Sequence, residues 1–283
     1  MSPTPHLNEL GEFLKARRAE LSPRAVGLPD SSGPRRVAGL RREEVARLAA
    51  ISTDYYTRLE QGRMPASAPV LSALAEALHL DDDQRRYLFG LAGKDTAKPR
   101  RRALQKVQPQ LRRVLDDLTA TPAVVMGRRM DVIAWNPLAA AMVTDFSAVP
   151  EKHRNYVRIL FTDPAMRTLY ADWRGVARTS VAQLRMEAAK YPDDPRLTAL
   201  VGELSVQDAD FRQWWAAHHV ATLSVGMKVL HHPVVGELSL EWDTLTATTD
   251  PDQQLVVWTA EIGSPTDERL RLLASWTADT SRT

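Results

Sequence analysis

Apolar positions between residues 41 and 62 recur at the three-to-four spacing of short helices, and the polar positions between them are equally ordered. In the run RREEVARLAAISTDYYTRLEQG, Val45, Ala46, Leu48 and Ala49 share one face of a first helix, which Ala50 and Ile51 end. Ser52 offers a side-chain oxygen where a second helix needs an N-cap, and Gly62 can adopt the positive φ that stops it. On a wheel of about 3.6 residues per turn, Ser52, Tyr56 and Leu59 fall on the inward side. Thr53, Asp54, Thr57, Arg58 and Gln61 fall outward. Two helices joined by a tight turn, the second with an outward face rich in hydrogen-bonding groups, fit the helix-turn-helix arrangement that enters a major groove. An ordinary helical hairpin with a solvated face fits the same wheel.

The pattern extends in both directions. Leu7, Leu10, Leu14 and Leu21 predict a helix before this pair, and Pro-, Gly- and Ser-rich residues 22–39 predict a loop. After the loop carrying Arg63 and Pro65, Val70, Leu71, Leu74, Ala75 and Leu78 mark a fourth helix. Asp81 to Asp83 read as the cap and acidic first turn of a fifth, a simpler account of that triplet than a metal site.

From Gln110 a helix with Leu111, Val114, Leu115 and Leu118 opens a second domain. Ala123–Met126 and Met130–Trp135 predict two strands joined at Gly127–Arg129, and Asn136-Pro137 a cap with proline at the first helical position. Residues 151–220 read as chiefly helical, with Leu160, Met166, Leu169, Trp173, Val176, Val181 and Leu184 inward. Strands return at Gly226–His231, Glu237–Leu245 and Gln254–Glu261, where Leu238, Leu240 and Trp242 alternate with polar residues. The expected architecture is multi-domain: an all-α helix-turn-helix domain over 1–93, a basic linker over 94–109, an α+β domain over 110–278, and a tail over 279–283.

Charge sharpens this division. Residues 94–113 hold 8 Lys/Arg against 1 Asp/Glu, while residues 114–283 hold 16 against 22, so a net charge of +2 conceals a basic junction. Such asymmetry favours a polyanionic partner beside the N-terminal half, although a merely solvated linker has the same composition. With 0 cysteines, disulfides, thiolate zinc sites and cysteine nucleophiles are excluded. The start MSPTPHLNEL lacks the regions of a signal peptide and no apolar run reaches membrane-spanning length, so a cytoplasmic protein without membrane partners is expected. No Gly-rich phosphate loop, HExxH or nucleophile elbow is present, and an enzyme is not expected.

Residues 7–92 resemble a xenobiotic-response-element-type, lambda-repressor-like helix-turn-helix domain. The runs DYYTRLEQGR and HHPVVGELSL resemble the actinobacterial MmyB-like transcription regulators. The resemblance implies that Arg18 pairs with Glu60 to brace the recognition helix, and that Arg42 contacts phosphate. It further implies a PAS-like fold for the second domain and a lipophilic, fatty-acid-like ligand within it.

The expected function is sequence-specific transcription regulation on double-stranded DNA by a homodimer, with half-sites ~34 Å apart. Thr53, Asp54, Thr57 and Arg58 are the base-edge candidates, with Arg58 suited to guanine. Asp54, repelled by phosphate, would accept from a cytosine amino group or orient Arg58. Arg35, Arg36, Arg42, Tyr55, Gln61 and Arg63 are candidates for the backbone. Trp135, Asn155, Arg158, Trp173, Arg174 and Trp215 are the ligand-pocket candidates, for each of which a structural role is the competing reading. His218-His219 and His231-His232 would need one histidine from each pair plus a carboxylate such as Glu241 to hold zinc, and no metal or other cofactor is expected. In the alternative reading, the second domain serves dimerisation or a protein partner and holds no small ligand.

Overall fold

The structure, a computed structural model, describes residues 5–28, 39–93, 105–191, 194–221, 225–246 and 250–280. It divides into two compact units: Met1–Arg100 with Arg185–Pro195 and Gln213–Thr222, and Arg101–Leu184 with Arg196–Arg212 and Leu223–Thr283.

In the first unit the helical periodicities become α1 (Pro5–Glu20), α2 (Arg42–Leu48), α3 (Thr53–Glu60), α4 (Ala68–Ala77) and α5 (Asp82–Leu91). Leu10, Phe13, Leu14, Val45, Tyr56, Leu59, Leu71, Leu74 and Leu88 form its core. Each such side chain removed from water contributes about 1.5–3 kcal/mol, far more than the helices' intrinsic propensities. Caps then set the ends. Ser52 Oγ accepts from Tyr55 N at 3.1 Å, and Asp81 Oδ1 accepts from Gln84 N at 2.8 Å while Gln84 Oε1 accepts from Asp81 N. Ala50, at φ 53, and Gly62, at φ 67, make the turns either side of α3.

The second unit contains α6 (Pro109–Asp117), β1 (Ala123–Met126), β2 (Val132–Trp135), α7 (Pro137–Met142), α8 (Tyr156–Thr162) and α9 (Pro164–Leu169). Three helical segments follow in the chain, α10 (Trp173–Lys190), α11 (Pro195–Gln207) and α12 (Ala209–Ala216), of which the end of α10 from Arg185, the first residue of α11 and the end of α12 from Gln213 belong to the first unit. The chain closes with β3 (Val225–His232), β4 (Gly236–Thr246), β5 (Gln254–Thr259) and α13 (Pro265–Thr280). All strand pairings are antiparallel, in the order β2-β1-β5-β4-β3. Asn136, 2% exposed, ties the hairpin to α7: its oxygen accepts from Ala123 N and Ala139 N, and its amide donates to Leu118 O and Thr121 O.

β2 begins at Val132, two residues later than the alternation suggests, because Arg128–Met130 form a tight helical turn. Arg129 and Met130 take φ 60 and 63 there. The buried Arg128 and Arg129 guanidiniums pair with Asp252 and Asp131, which anchors a backbone that strand geometry could not supply. Among the inward helical residues expected, Val176 is half-buried and the others are buried.

Candidate nucleic-acid interface

α3 is held by its inward side and presents its polar side. Tyr56 and Leu59 are fully buried, whereas Thr53, Asp54, Arg58 and Gln61 are exposed. α1 crosses the end of α3 at backbone distance: a Cβ on Gly11 would lie 2.4 Å from Glu60 O, so a larger residue there would displace the helix.

Glu60 is the electrostatic pivot. Arg18 donates from Nε at 2.9 Å and Nη2 at 2.8 Å to its two carboxylate oxygens, and from Nη1 to Leu40 O at 2.7 Å. Arg42, at the start of α2, adds a third contact, Nε to Oε1 at 3.1 Å. Burial opposes ionisation of Glu60, but the hydrogen bonds from Arg18 and Arg42 outweigh it and hold the carboxyl below its usual range. The same Glu60 hydrogen bonds raise the Arg18 guanidinium above its ordinary value. Arg42 thus serves Glu60, and its exposed side chain offers only its remaining donors to a phosphate.

On the outward face Arg58 Nη2 meets Asp54 Oδ2 at 2.8 Å, one turn away. Thr57, half-buried, donates its hydroxyl proton to Thr53 O at 2.7 Å, which leaves an acceptor and a methyl group facing out. Tyr55 is half-buried on the flank, and Arg63 is exposed beyond Gly62. Arg35 and Arg36 lie outside the described residues.

Each of the six ligand-pocket candidates has protein contacts. Asn155 Oδ1 caps α8 at Arg158 N, and its amide donates to Arg129 O and Asp131 Oδ1. Arg158 pairs with Glu203, and exposed Arg174 pairs with Asp210 at 2.9 Å. Trp135 packs against Phe146 at 5.4 Å, with Arg154 over its ring. Trp173 is buried, its indole donating to Leu160 O at 2.9 Å. Trp215 belongs to the first unit, under the Arg185 guanidinium at 4.1 Å.

Two cationic sites stand apart from those the sequence pattern singled out. Arg185, 1% exposed, contacts Glu9, the Tyr87 hydroxyl and His218 Nδ1 within the first unit. Its partners lie 176, 98 and 33 residues away, so no local motif could reveal it. Lys228, on β3, had a signal: the two-residue period places it on the same face as Leu230 and His232. Its ammonium lies 4.9 Å from the Trp242 ring centre, 5.5 Å from Tyr156 and 5.9 Å from Tyr170.

Of the four paired histidines, His218 and His232 are buried against protein partners. His232 Nε2 contacts Ala141 O at 2.9 Å, and its Nδ1 accepts from the amides of Val234 and Val235. His218 is buried beside Arg185, which together push its imidazole down to about 3. Among the described residues no group of three or more His, Asp or Glu is placed to hold a metal ion.

Residues 107–273 match the family model described as MmyB-like transcription regulator ligand binding domain, and residues 9–88 match a helix-turn-helix domain. No curated protein matches the chain significantly.

Proposed function

The chain belongs to the MmyB-like transcription regulators, and from that premise we propose that it reads a two-fold-related DNA site as a homodimer under control of a lipophilic small molecule. It is a DNA-binding regulator with a helix-turn-helix domain and a ligand-binding domain. The observation that carries the DNA reading is α3 itself, fixed from behind by Glu60 and Gly11 and open in front at Thr53, Asp54, Arg58 and Gln61.

In this reading Arg58 donates to guanine O6 and N7, with Asp54 holding the guanidinium in position. Thr57 meets a thymine methyl group or a base donor. Tyr55, Gln61, Arg63 and the free donors of Arg42 lie along the sugar-phosphate backbone. The fatty-acid-like ligand belongs to the second domain. An antiparallel sheet, interrupted by helices between its hairpin and its closing strands, supports a PAS-like sensor. The domain is a receiver of ligand rather than a catalyst, and the regulator works in the cytoplasm.

The test is selection of genomic fragments by the purified full-length protein at a stated, near-physiological salt. Enrichment of one two-fold-related motif, relaxed at one base pair of the half-site in Arg58→Ala, is the expected result. Salt-sensitive binding without a motif would place the affinity in the basic junction and remove α3 from recognition. A lipid extracted from the purified protein, or a thermal shift with dodecanoate, is expected for the second domain. A stable dimer indifferent to every amphiphile would instead make that domain a dimerisation module.

A further inference from the structure

The inward face of the β3–β4 ladder is apolar except at Lys228 and, at its end, at His232, whose ring nitrogens are engaged by Ala141 O and the amides of Val234 and Val235. Antiparallel register sets Leu230 opposite Leu238, Lys228 opposite Leu240, and Gly226 opposite Trp242. Leu230, Leu238 and Leu240 are at most 1% exposed, and Trp242 is 9% exposed. Lys228 therefore occupies a slot in which the strand period calls for an aliphatic residue. The segment after α9 brings aromatic cover: Tyr170 bridges to Leu230, and Ala171 N donates to Val229 O at 3.0 Å. Tyr156, on α8, joins it through a 3.1 Å contact between the two phenol oxygens.

Three ring faces stabilise the ammonium charge without neutralising it. Burial alone pulls Lys228 down to about 8, with no carboxylate among the described residues to offset it. The hydrogen-bond inventory is equally one-sided. An ammonium has three donor hydrogens and no acceptor. In the Tyr156–Tyr170 pair one hydroxyl donates to the other, so the second keeps its own hydrogen to give. The cluster thus holds surplus donors, one positive charge and apolar walls.

We propose that Lys228, with the Tyr156–Tyr170 hydroxyl pair, is the head-group site of the ligand domain and takes the carboxylate of an amphiphile whose hydrocarbon part lies against the surrounding aromatic and leucine side chains. A monoanion with two oxygens matches one ammonium and one phenol donor, whereas a phosphate dianion would leave excess negative charge. The site rests on the reading that the second domain binds a lipophilic ligand. It supplies the cation that Arg158 and Arg174, committed to Glu203 and Asp210, do not.

The test compares dodecanoate with its methyl ester, which keeps the chain and removes the charge, by tryptophan-fluorescence titration of the full-length protein at pH 7. Wild type is expected to bind the acid at least ten-fold more tightly than the ester. Lys228→Met is expected to abolish that preference, and to melt at a higher temperature because it removes a half-buried, uncompensated charge. If wild type binds neither compound, the lipophilic-ligand reading fails and the head-group site fails with it. If wild type binds both equally, or Lys228→Met keeps the preference for the acid, the head-group assignment alone is overturned and Lys228 serves only packing. The acid–ester comparison on wild type needs no variant, so a poorly folding Lys228→Met leaves the proposal open to refutation.

Discussion

Arg58 and Asp54 form an exposed pair one turn apart on α3, with side chains 57% and 70% accessible. Pairs of this kind contribute only about 0.3–0.5 kcal/mol to stability, so their value lies in orientation rather than in holding the fold. Arg58→Ala is therefore expected to leave the melting temperature nearly unchanged. Its expected cost is discrimination at one base pair, by about 1–3 kcal/mol. Competition binding with single-base operator variants measures this directly. A uniform loss on every sequence would make Arg58 a phosphate contact.

At the scale of elements, the orientation of α3 depends on one buried carboxylate. The Glu60 side chain is 1% exposed and that of Arg18 is 13% exposed, and their two-point contact couples α1 to the end of α3. Removing the charge leaves Arg18 enclosed without its partner, a mechanism that costs about 3 kcal/mol. Glu60→Gln is expected to show a loss of this size in urea unfolding, together with weaker DNA binding at every sequence. Arg42→Ala, by contrast, removes a side chain that is 43% exposed and is expected to cost under about 1 kcal/mol.

For the protein as a whole, His218 ties stability to pH. Burial first, and the neighbouring Arg185 guanidinium second, hold its imidazole near 3; Arg17 and Lys15 act in the same direction, and Glu12 opposes them. Its Nδ1 lies 3.5 Å from Glu9, but that carboxylate is engaged by Arg185. The folded value lies below the unfolded one of about 6.5, so the fold keeps the neutral ring. This stabilisation is complete above pH 6.5 and declines on acidification, as the unfolded chain takes up a proton that the fold refuses. By pH 5 the loss amounts to about 2 kcal/mol. Thermal melts at pH 7, 6 and 5 are expected to show this decline, and His218→Gln to flatten it. Among the described residues no helix is long and apolar enough to cross a membrane.

Local chemistry was enough for most of the elements, though not for α13 or the start of β2, and for the outward face of α3. The period of Tyr56 and Leu59, the Ser52 cap and the Asp81 capping box are properties of neighbouring residues, and short-range hydrogen bonding and side-chain geometry act on them directly. The alternation of Leu238, Leu240 and Trp242 likewise marked the buried face of β4. The site chemistry was less legible because it depends on partners distant along the chain. Asn155 and Arg158 read as polar groups for which a ligand contact and a structural role were both open, because their partners Asp131 and Glu203 lie far away along the chain. Arg185 acquires its meaning from Glu9, and Lys228 from Tyr156, Tyr170 and Trp242. The sequence by itself determined which faces are apolar, since periodicity and capping are short-range. Apart from the Arg18–Glu60 and Asp54–Arg58 pairs already expected, tertiary structure decided which charges are neutralised, since Coulomb and desolvation energies depend on distance and burial in space, not on separation along the chain.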